Sequence, residues 1–266
     1  MIILFLGDIF GKPGRICVEK QLLEIIKSNS VDIVIANGEN AAGGMGITPR
    51  ICDDLLNVGV DIVTSGNHIY KKREIYDYLE QEPRLLKPAN YPPGTPGNGC
   101  YILSNKKTKG RKIAVANICG RVFLDNFDCP FRSIDKIINF IGGQTPIIIV
   151  DFHAEVTSEK VAMGWFLDGR VSAVIGTHTH IQTADERILP RGTAYITDVG
   201  MVGPRDSVIG VKKEIIIERF INHMPQKFDV ATGDNWINGV LIDVDEDSGK
   251  SRSITRINMK ADIGLI

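Results

Sequence analysis

Carboxylate, amide and imidazole side chains recur at the ends of apolar runs in this chain of 266 residues. Asp8 follows the run Ile2–Leu6, and Glu39 and Asn40 follow the run Asp32–Ala36. Oxygen donors mixed with imidazole nitrogens suit Mn, Fe or Zn, whereas Ca²⁺ takes oxygen ligands only. The residue types therefore predict a transition-metal site that is assembled from several strand ends.

Three later apolar runs end in the same way, with Asn67 and His68, with His153, and with His178 and His180. A single histidine at a strand end is more often a structural residue than a ligand. Five strand ends of this kind are hard to explain by the needs of folding alone. The donors are numerous enough for two ions, which a shared carboxylate could bridge at a separation of about 3.5–4 Å.

The elements that must position these donors are short strands that alternate with helices. Strands are predicted at Ile2–Leu6, Asp32–Ala36, Asp61–Ser65, Lys112–Asn117, Pro146–Asp151, Ser172–Gly176 and Thr193–Thr197. Several are nearly continuous β-branched runs, which are typical of strands covered on both faces. In a mainly parallel sheet the ends of these strands lie on one edge, where α/β proteins usually bind their ligands.

Helices are predicted between these strands, and antiparallel strands are predicted near the C-terminus. The helices are predicted at Arg15–Lys27, Pro49–Val58, Lys71–Leu79, Ser133–Ile141 and Ser158–Leu167. The late strands are predicted at Glu214–Phe220, Ile237–Asp243 and Arg252–Asn258. This order predicts layered sheets flanked by helices in one domain that spans residues 1–266.

The composition is typical of a folded protein without a membrane span or a long nucleic-acid groove. Hydrophobic residues make up 43% of the chain, charged residues 24%, and the formal net charge is −1. No apolar run approaches the ~18 residues needed to cross a bilayer, and no signal peptide is evident. The five cysteines contain no CxxC pair, so we expect reduced thiols and a cytoplasmic protein. Apolar surface near the C-terminal strands would allow a homo-oligomer.

The polar blocks, taken in order, resemble those of the calcineurin-like metallophosphoesterases. The blocks are Gly7-Asp8, Gly38-Glu39-Asn40, Gly66-Asn67-His68, His153 and Gly176-Thr177-His178-Thr179-His180. Within this superfamily, the segments Gly38–Thr48 and Gly203–Gly210 are similar to the YmdB-type bacterial phosphodiesterases. The resemblance implies an α/β fold: a four-layer αββα sandwich of two mixed β-sheets flanked by helices.

The resemblance also implies a site with two divalent or trivalent metal ions, with iron or manganese favoured and zinc acceptable. The implied ligands are Asp8 and His180 for the first ion, Glu39 as the bridge, and Asn67, His153 and His178 for the second ion. His68 would be the catalytic histidine outside the ligand set, which stabilises the transition state or protonates the leaving oxygen.

Three positions depart from the pattern of the broader superfamily, and the first is Glu39, which stands where that superfamily bridges with an aspartate. Phe10 stands where that superfamily has a histidine ligand, and Asn40 is the implied replacement ligand. Ile69 stands where an acid often follows the histidine, so another group must hold the tautomer of His68.

The glycines Gly43 and Gly44 either permit a loop with positive φ or allow the backbone to approach the substrate.

The implied function is hydrolysis of small cyclic nucleotides, with 2′,3′-cyclic nucleotide monophosphates favoured. A hydroxide that bridges the two ions would attack phosphorus, because bound water loses its proton near neutral pH. A phosphomonoesterase or protein phosphatase on the same site is one alternative. The other alternative is a metal-binding regulatory protein whose hydrolysis is incidental.

Overall fold

The computed structural model describes residues 1–104, 108 and 110–262. The helices in these ranges are α1 Gly11–Ser28, α2 Pro49–Asn57, α3 Ile75–Gln81, α4 Pro130–Ile141, α5 Thr157–Leu167 and α6 Lys213–Asn222, with a 3-10 turn at Ile69–Lys71. The start of α2 follows from local chemistry, because Thr48 Oγ1 accepts a hydrogen bond from the Ile51 N–H at 3.3 Å and Pro49 begins the helix.

The first sheet combines parallel and antiparallel strands. Its strands are β1 Ile2–Leu6, β2 Asp8–Ile9, β3 Ile33–Asn37, β4 Ile62–Thr64, β11 Met201–Pro204, β12 Asn235–Val244 and β13 Ser251–Lys260. The order across the sheet is β2-β11-β12-β1-β3-β4, and β13 pairs with β12. The strands β1, β3 and β4 are parallel, so the residues that follow them emerge at one edge.

The second sheet is also mixed. Its strands are β5 Cys100–Leu103, β6 Ile113–Cys119, β7 Ile148–His153, β8 Ala173–Thr177, β9 Arg187–Ile188 and β10 Ala194–Ile196. They lie in the order β5-β6-β7-β8-β10-β9, and β6, β7, β8 and β10 are parallel. The strand predicted at Pro146–Asp151 corresponds to β7, which begins and ends two residues later, so His153 is its last residue.

The two sheets pack face to face, and helices cover their outer faces. Within β1, Ile3 and Phe5 point into the core between the sheets, whereas Leu4 and Leu6 point into the core beneath α1 and α2. This alternation is the period of two that a strand imposes on its side chains. On the second sheet, α4 and α5 cover the outer face. The predicted four-layer αββα sandwich of two mixed sheets is confirmed.

One predicted strand is wrong. The run Glu214–Phe220 was expected to be extended because it is rich in isoleucine, but it lies in α6. Only Ile216 of this helix is buried, and Phe220 and Ile221 are 75% and 78% exposed. The apolar residues that suggested a buried strand are thus mostly exposed on a surface helix. Among the described residues, no helix is long and apolar enough to span a membrane.

Candidate metal centre

The structure brings all the predicted ligands to one place, where the carboxyl ends of strands from both sheets meet. Glu39, His153 and His178 each offer a donor atom, and these atoms lie within 4.8 Å of one another. His153 Nε2 lies 3.2 Å from Glu39 Oε2 and 2.9 Å from His178 Nδ1. Asn67 Oδ1 lies 3.2 Å from the same His153 nitrogen. This group corresponds to the predicted second-ion ligands and the bridge.

The remaining predicted ligands lie on the other side of Glu39. His180 Nε2 lies 3.7 Å from Asp8 Oδ1 and 3.1 Å from Asn40 Nδ2. Asn40 Nδ2 also donates a hydrogen bond to Glu39 Oε1 at 2.9 Å. The carboxamide oxygen of Asn40 faces His68, so serving as a ligand would require the carboxamide to turn over.

The two carboxylates remain ionised although both are buried. Burial raises the pKa of Glu39, but the charge and hydrogen bond of His153 outweigh it and hold that pKa well below its usual value. Burial also raises the pKa of Asp8, but the nearby imidazole of His180 brings it below its usual value. Burial lowers the pKa of His153, but the charge of Glu39 dominates and raises it to about 9. The buried carboxylates thus favour positive charge on the neighbouring imidazole.

The residues present fit metal ions. Asp8 Oδ1 is buried and has no hydrogen-bond partner among the described residues. Donor atoms that share an ion at bond lengths of about 2.0–2.2 Å lie roughly 3–3.5 Å apart. The spacings between Glu39, His153 and His178 are close to this range. Carboxylate, amide and imidazole donors together are chemically suited to Mn, Fe or Zn.

His153 is held from behind by a chain of buried hydrogen bonds. Its Nδ1 lies 2.9 Å from Thr177 Oγ1, and that hydroxyl donates to Asp151 Oδ1 at 2.7 Å. Asp151 Oδ2 accepts further hydrogen bonds from Thr64 Oγ1 and from Asn37 Nδ2. The contact with Thr177 leaves His153 Nε2 to face Glu39 and His178. Partners of this kind orient a ligand and fix its tautomer.

Each of the other two predicted histidine ligands, His178 and His180, also has one ring nitrogen engaged by the protein. His178 Nε2 lies 3.1 Å from Glu155 Oε2, which leaves Nδ1 to face His153. His180 donates from Nδ1 to the backbone oxygen of Ile209 at 2.8 Å, which leaves Nε2 to face Asp8. Sequence reasoning missed both partners. The acid two residues after His153 was an available signal, whereas nothing local pointed to the Ile209 carbonyl.

A buried ion pair lies beneath the segment that carries the last two histidines. Lys160 is 1% exposed, and its Nζ donates to Asp198 Oδ2 at 2.6 Å and to the Thr177 backbone oxygen at 2.7 Å. Asp198 Oδ2 also accepts the Thr179 N–H at 3.0 Å. The pair therefore holds the backbone on both sides of His178, which adopts a φ of 104°.

His68 lies beside the ligands, and Asn40 orients it. Its Nδ1 lies 2.8 Å from Asn40 Oδ1, and its backbone N–H donates to Glu39 Oε2 at 3.2 Å. This contact directs Nε2 away from Asn40. The group that replaces the missing acid at Ile69 is therefore the carboxamide of Asn40.

Gly66 allows two of the ligands to approach each other. A Cβ atom at this position would lie 2.3 Å from Glu39 Oε2 and 2.3 Å from His153 Nε2. Any side chain here would displace the carboxylate of Glu39 or the imidazole of His153. The Gly-Asn-His block thus begins with a glycine because only the absence of a side chain leaves room for Glu39 and His153.

Phe10 occupies the position of the absent histidine ligand. Its ring meets the ring of His180 edge to face, with centroids 5.5 Å apart. A Cβ at Gly44 or Gly210 would lie within 2.8 Å of the Phe10 ring, and both glycines have positive φ. The predicted substrate loop at Gly43 and Gly44 lines the cavity, and Gly44 also makes room for Phe10.

A cavity of about 630 Å³ opens in front of the metal centre. Glu39, Asn40, His68, His178 and His180 line one side of it. Among the residues that the structure describes, none that lines this cavity is a lysine or an arginine. An anionic substrate in this cavity would therefore be neutralised by bound metal ions or by the histidines rather than by a lysine or an arginine.

Comparisons with known proteins place the chain in a family. The family model described as YmdB-like protein matches residues 4–257. This chain belongs to the YmdB-like family. A relative from Bacillus subtilis (strain 168), named 2′,3′-cyclic-nucleotide 2′-phosphodiesterase, is 48% identical over 98% of this chain and 98% of its own length.

Two solved structures share the fold of this chain over almost its whole length. A hypothetical protein from Thermus thermophilus superposes with a TM-score of 0.91 at 40% identity, covering 98% of this chain and 100% of that chain. A protein from Mycoplasma pneumoniae described as a novel phosphatase superposes with a TM-score of 0.91 at 34% identity, covering 98% and 94% of the two chains. The predicted resemblance to the YmdB-type subgroup is confirmed.

Proposed function

We propose that this protein is a metal-dependent phosphodiesterase that hydrolyses small cyclic nucleotides, with 2′,3′-cyclic nucleotide monophosphates as the favoured substrates. The observation that carries the proposal is the convergence of Asp8, Glu39 and three histidines beside a cavity that, among the described residues, no lysine or arginine lines. The name of the Bacillus subtilis relative supports the choice of substrate.

The proposed site holds two metal ions. Asp8 and His180 would hold the first ion, Glu39 would be shared by both ions, and Asn67, His153 and His178 would hold the second. Asn40 would join the first set only with its carboxamide turned over, because its oxygen otherwise faces and orients His68. When bound, the ions neutralise the phosphate oxygens and make a water molecule acidic near neutral pH. Iron or manganese is favoured, and zinc is chemically acceptable, because imidazole and carboxylate donors accept all three.

The chain's own residues position the substrate and handle the proton. His68 is held through Nδ1, so its protonated form presents Nε2–H towards the cavity and gives that proton to the leaving oxygen. Asn40 orients His68, while Glu155 and the Ile209 carbonyl keep the ring nitrogens of His178 and His180 aimed at the site. Gly43 and Gly44 let the backbone approach the substrate.

The test compares substrates on protein whose metal content has been measured by elemental analysis. We expect turnover of 2′,3′-cyclic AMP to exceed that of 3′,5′-cyclic AMP and of p-nitrophenyl phosphate, and removal of metal by a chelator to abolish it. Dominant turnover of p-nitrophenyl phosphate would instead favour the phosphomonoesterase or protein phosphatase. A biological effect that survives in a metal-bound but inactive His68 variant would favour the metal-binding regulatory protein.

We further propose one domain over residues 1–266 and a cytoplasmic location. The shared core between the two sheets supports the single domain. The free thiols of all five cysteines support a reducing compartment. Self-association stays a prediction. Among the described residues, Ile217, Phe220 and Ile221 expose apolar surface on α6, whereas no large apolar residue of the C-terminal strands β12 and β13 is exposed.

A further inference from the structure

The cavity in front of the metal centre has a second side that the phosphate chemistry does not use. We call it the apolar wall, and it is formed by Phe10, Met45, Ile209, Val211, Phe228 and Val230. A phosphate group is a small anion that gains nothing from apolar surface. This wall therefore fits another part of the substrate.

The apolar wall is built into the fold. Phe10 and Val211 are buried together with Met201 and Ile216 in a small separate core. Val211 forms a β-bridge with Val230, and the Ala231 N–H donates to the Gly210 oxygen at 2.9 Å. The segment that follows Phe228 is thus anchored to the loop that follows β11, so the wall is formed before any ligand arrives.

Phe228 is the aromatic side chain at the open part of this wall. It is 41% exposed, although the Arg219 guanidinium lies 5.0 Å from its ring centroid. Such a cation over an aromatic face is an attractive contact that restrains the ring. Met45 and Ile209 are also large, apolar and partly exposed at the same cavity. Large apolar side chains exposed together at a cavity indicate a ligand that covers them.

We propose that the apolar wall is a nucleobase subsite in which Phe228 stacks against the base of the substrate. The proposal rests on the proposed phosphodiesterase function, because the base must be attached to a phosphate held at the metal centre. Gln226 and Asp229 line the same cavity and offer polar atoms to the edge of a base. The cavity thus takes a complete nucleotide, with the phosphate on one side and the base on the other.

The test compares two five-membered cyclic phosphates, of which only one carries a ribose and a base. Metal-loaded protein is assayed with 2′,3′-cyclic AMP and with glycerol 1,2-cyclic phosphate, and the ratio of the two kcat/KM values is measured. Stacking of one base on an aromatic ring corresponds to about a tenfold effect. We expect Phe228→Ala to lower the ratio about tenfold through KM for the nucleotide, and Phe228→Trp to restore it.

A matched control and a second variant keep the test decisive. Phe220→Ala removes an exposed phenylalanine from α6 outside the cavity, and the ratio should stay at the wild-type value. Met45→Ala alters the wall on a different loop and should also lower the ratio. It replaces Phe228→Ala in the test if that variant fails to fold. An unchanged ratio in the folded variants would overturn the subsite. If the metal-loaded wild type turned over neither cyclic phosphate, the phosphodiesterase function itself would be overturned.

Discussion

The two sides of the cavity are made in different ways. The ligand side consists of residues at strand ends, and each histidine ligand has one ring nitrogen engaged by the protein. The apolar wall consists mainly of loop residues anchored by a small separate core. Metal ligation requires donors placed to within fractions of an ångström, whereas stacking tolerates sliding. The difference shows that the more rigid elements carry the more demanding chemistry.

Ile209 belongs to both sides. Its backbone oxygen accepts the hydrogen bond from His180 Nδ1, and its side chain lines the apolar wall. It also adopts a φ of 48°, which is unusual for a β-branched residue. Strain of this kind persists only where the surroundings enforce it. The loop therefore accepts a conformational cost in order to place one residue at the junction of the two sides.

The largest expected effect comes from breaking the ligand side at its centre. Glu39→Gln removes the charge of the proposed bridge, so bound metal and hydrolysis should fall together. The ions contribute several kcal/mol to transition-state stabilisation, which corresponds to a rate loss on the order of 10⁴-fold. Elemental analysis and assays with 2′,3′-cyclic AMP check this. Full activity with unchanged metal content would remove the bridge assignment.

His68→Ala should separate catalysis from metal binding. His68 contacts Asn40 and Glu39 but is not a proposed ligand, so metal content should remain that of the wild type. Loss of a general acid lowers rates by about 10²–10⁴-fold. The same two measurements apply to both variants. A parallel loss of metal in His68→Ala would place this residue among the ligands.

Lys160→Met should destabilise the ligand side from below. Removing one partner of a buried pair leaves Asp198 charged and unpaired, which costs about 3–5 kcal/mol. The free energy of unfolding, measured in urea on the metal-free protein, should fall by this amount. The double variant Lys160→Met/Asp198→Leu is the control and should recover part of the loss. Equal stability of the single variant and the wild type would contradict the role of the pair.

The smallest expected effect concerns the backbone strain at Ile209, where the two sides of the cavity meet. Both Ile209→Gly and Ile209→Ala remove the apolar side chain, but only glycine is relaxed at positive φ. The glycine variant should therefore be more stable than the alanine variant by about 1 kcal/mol. Urea unfolding midpoints compare the two directly. An alanine variant as stable as the glycine variant would mean that the loop has relaxed to another conformation.

The sequence predicted the ligand side far better than the apolar wall. Asp8 and Glu39 lie two residues after the ends of β1 and β3, His153 ends β7, and strand ends can be found from apolar periodicity alone. The partners Lys160 and Asp198 could not be found, because their meeting depends on how α5 packs beneath the segment after β8. Nothing in the sequence pointed to Phe228 as a binding residue. It follows α6, whose isoleucine-rich sequence predicted a strand instead of a helix.

The positive φ values of His178 and His180 have a consequence for any attempt to transplant the site. A short peptide with the sequence Gly-Thr-His-Thr-His would spread over extended conformations and would not aim its two imidazoles in these directions. Their aim comes from a lysine on a helix below and a carbonyl on a loop beside them. A designer who grafts this chelating pair must therefore bring those distant supports as well.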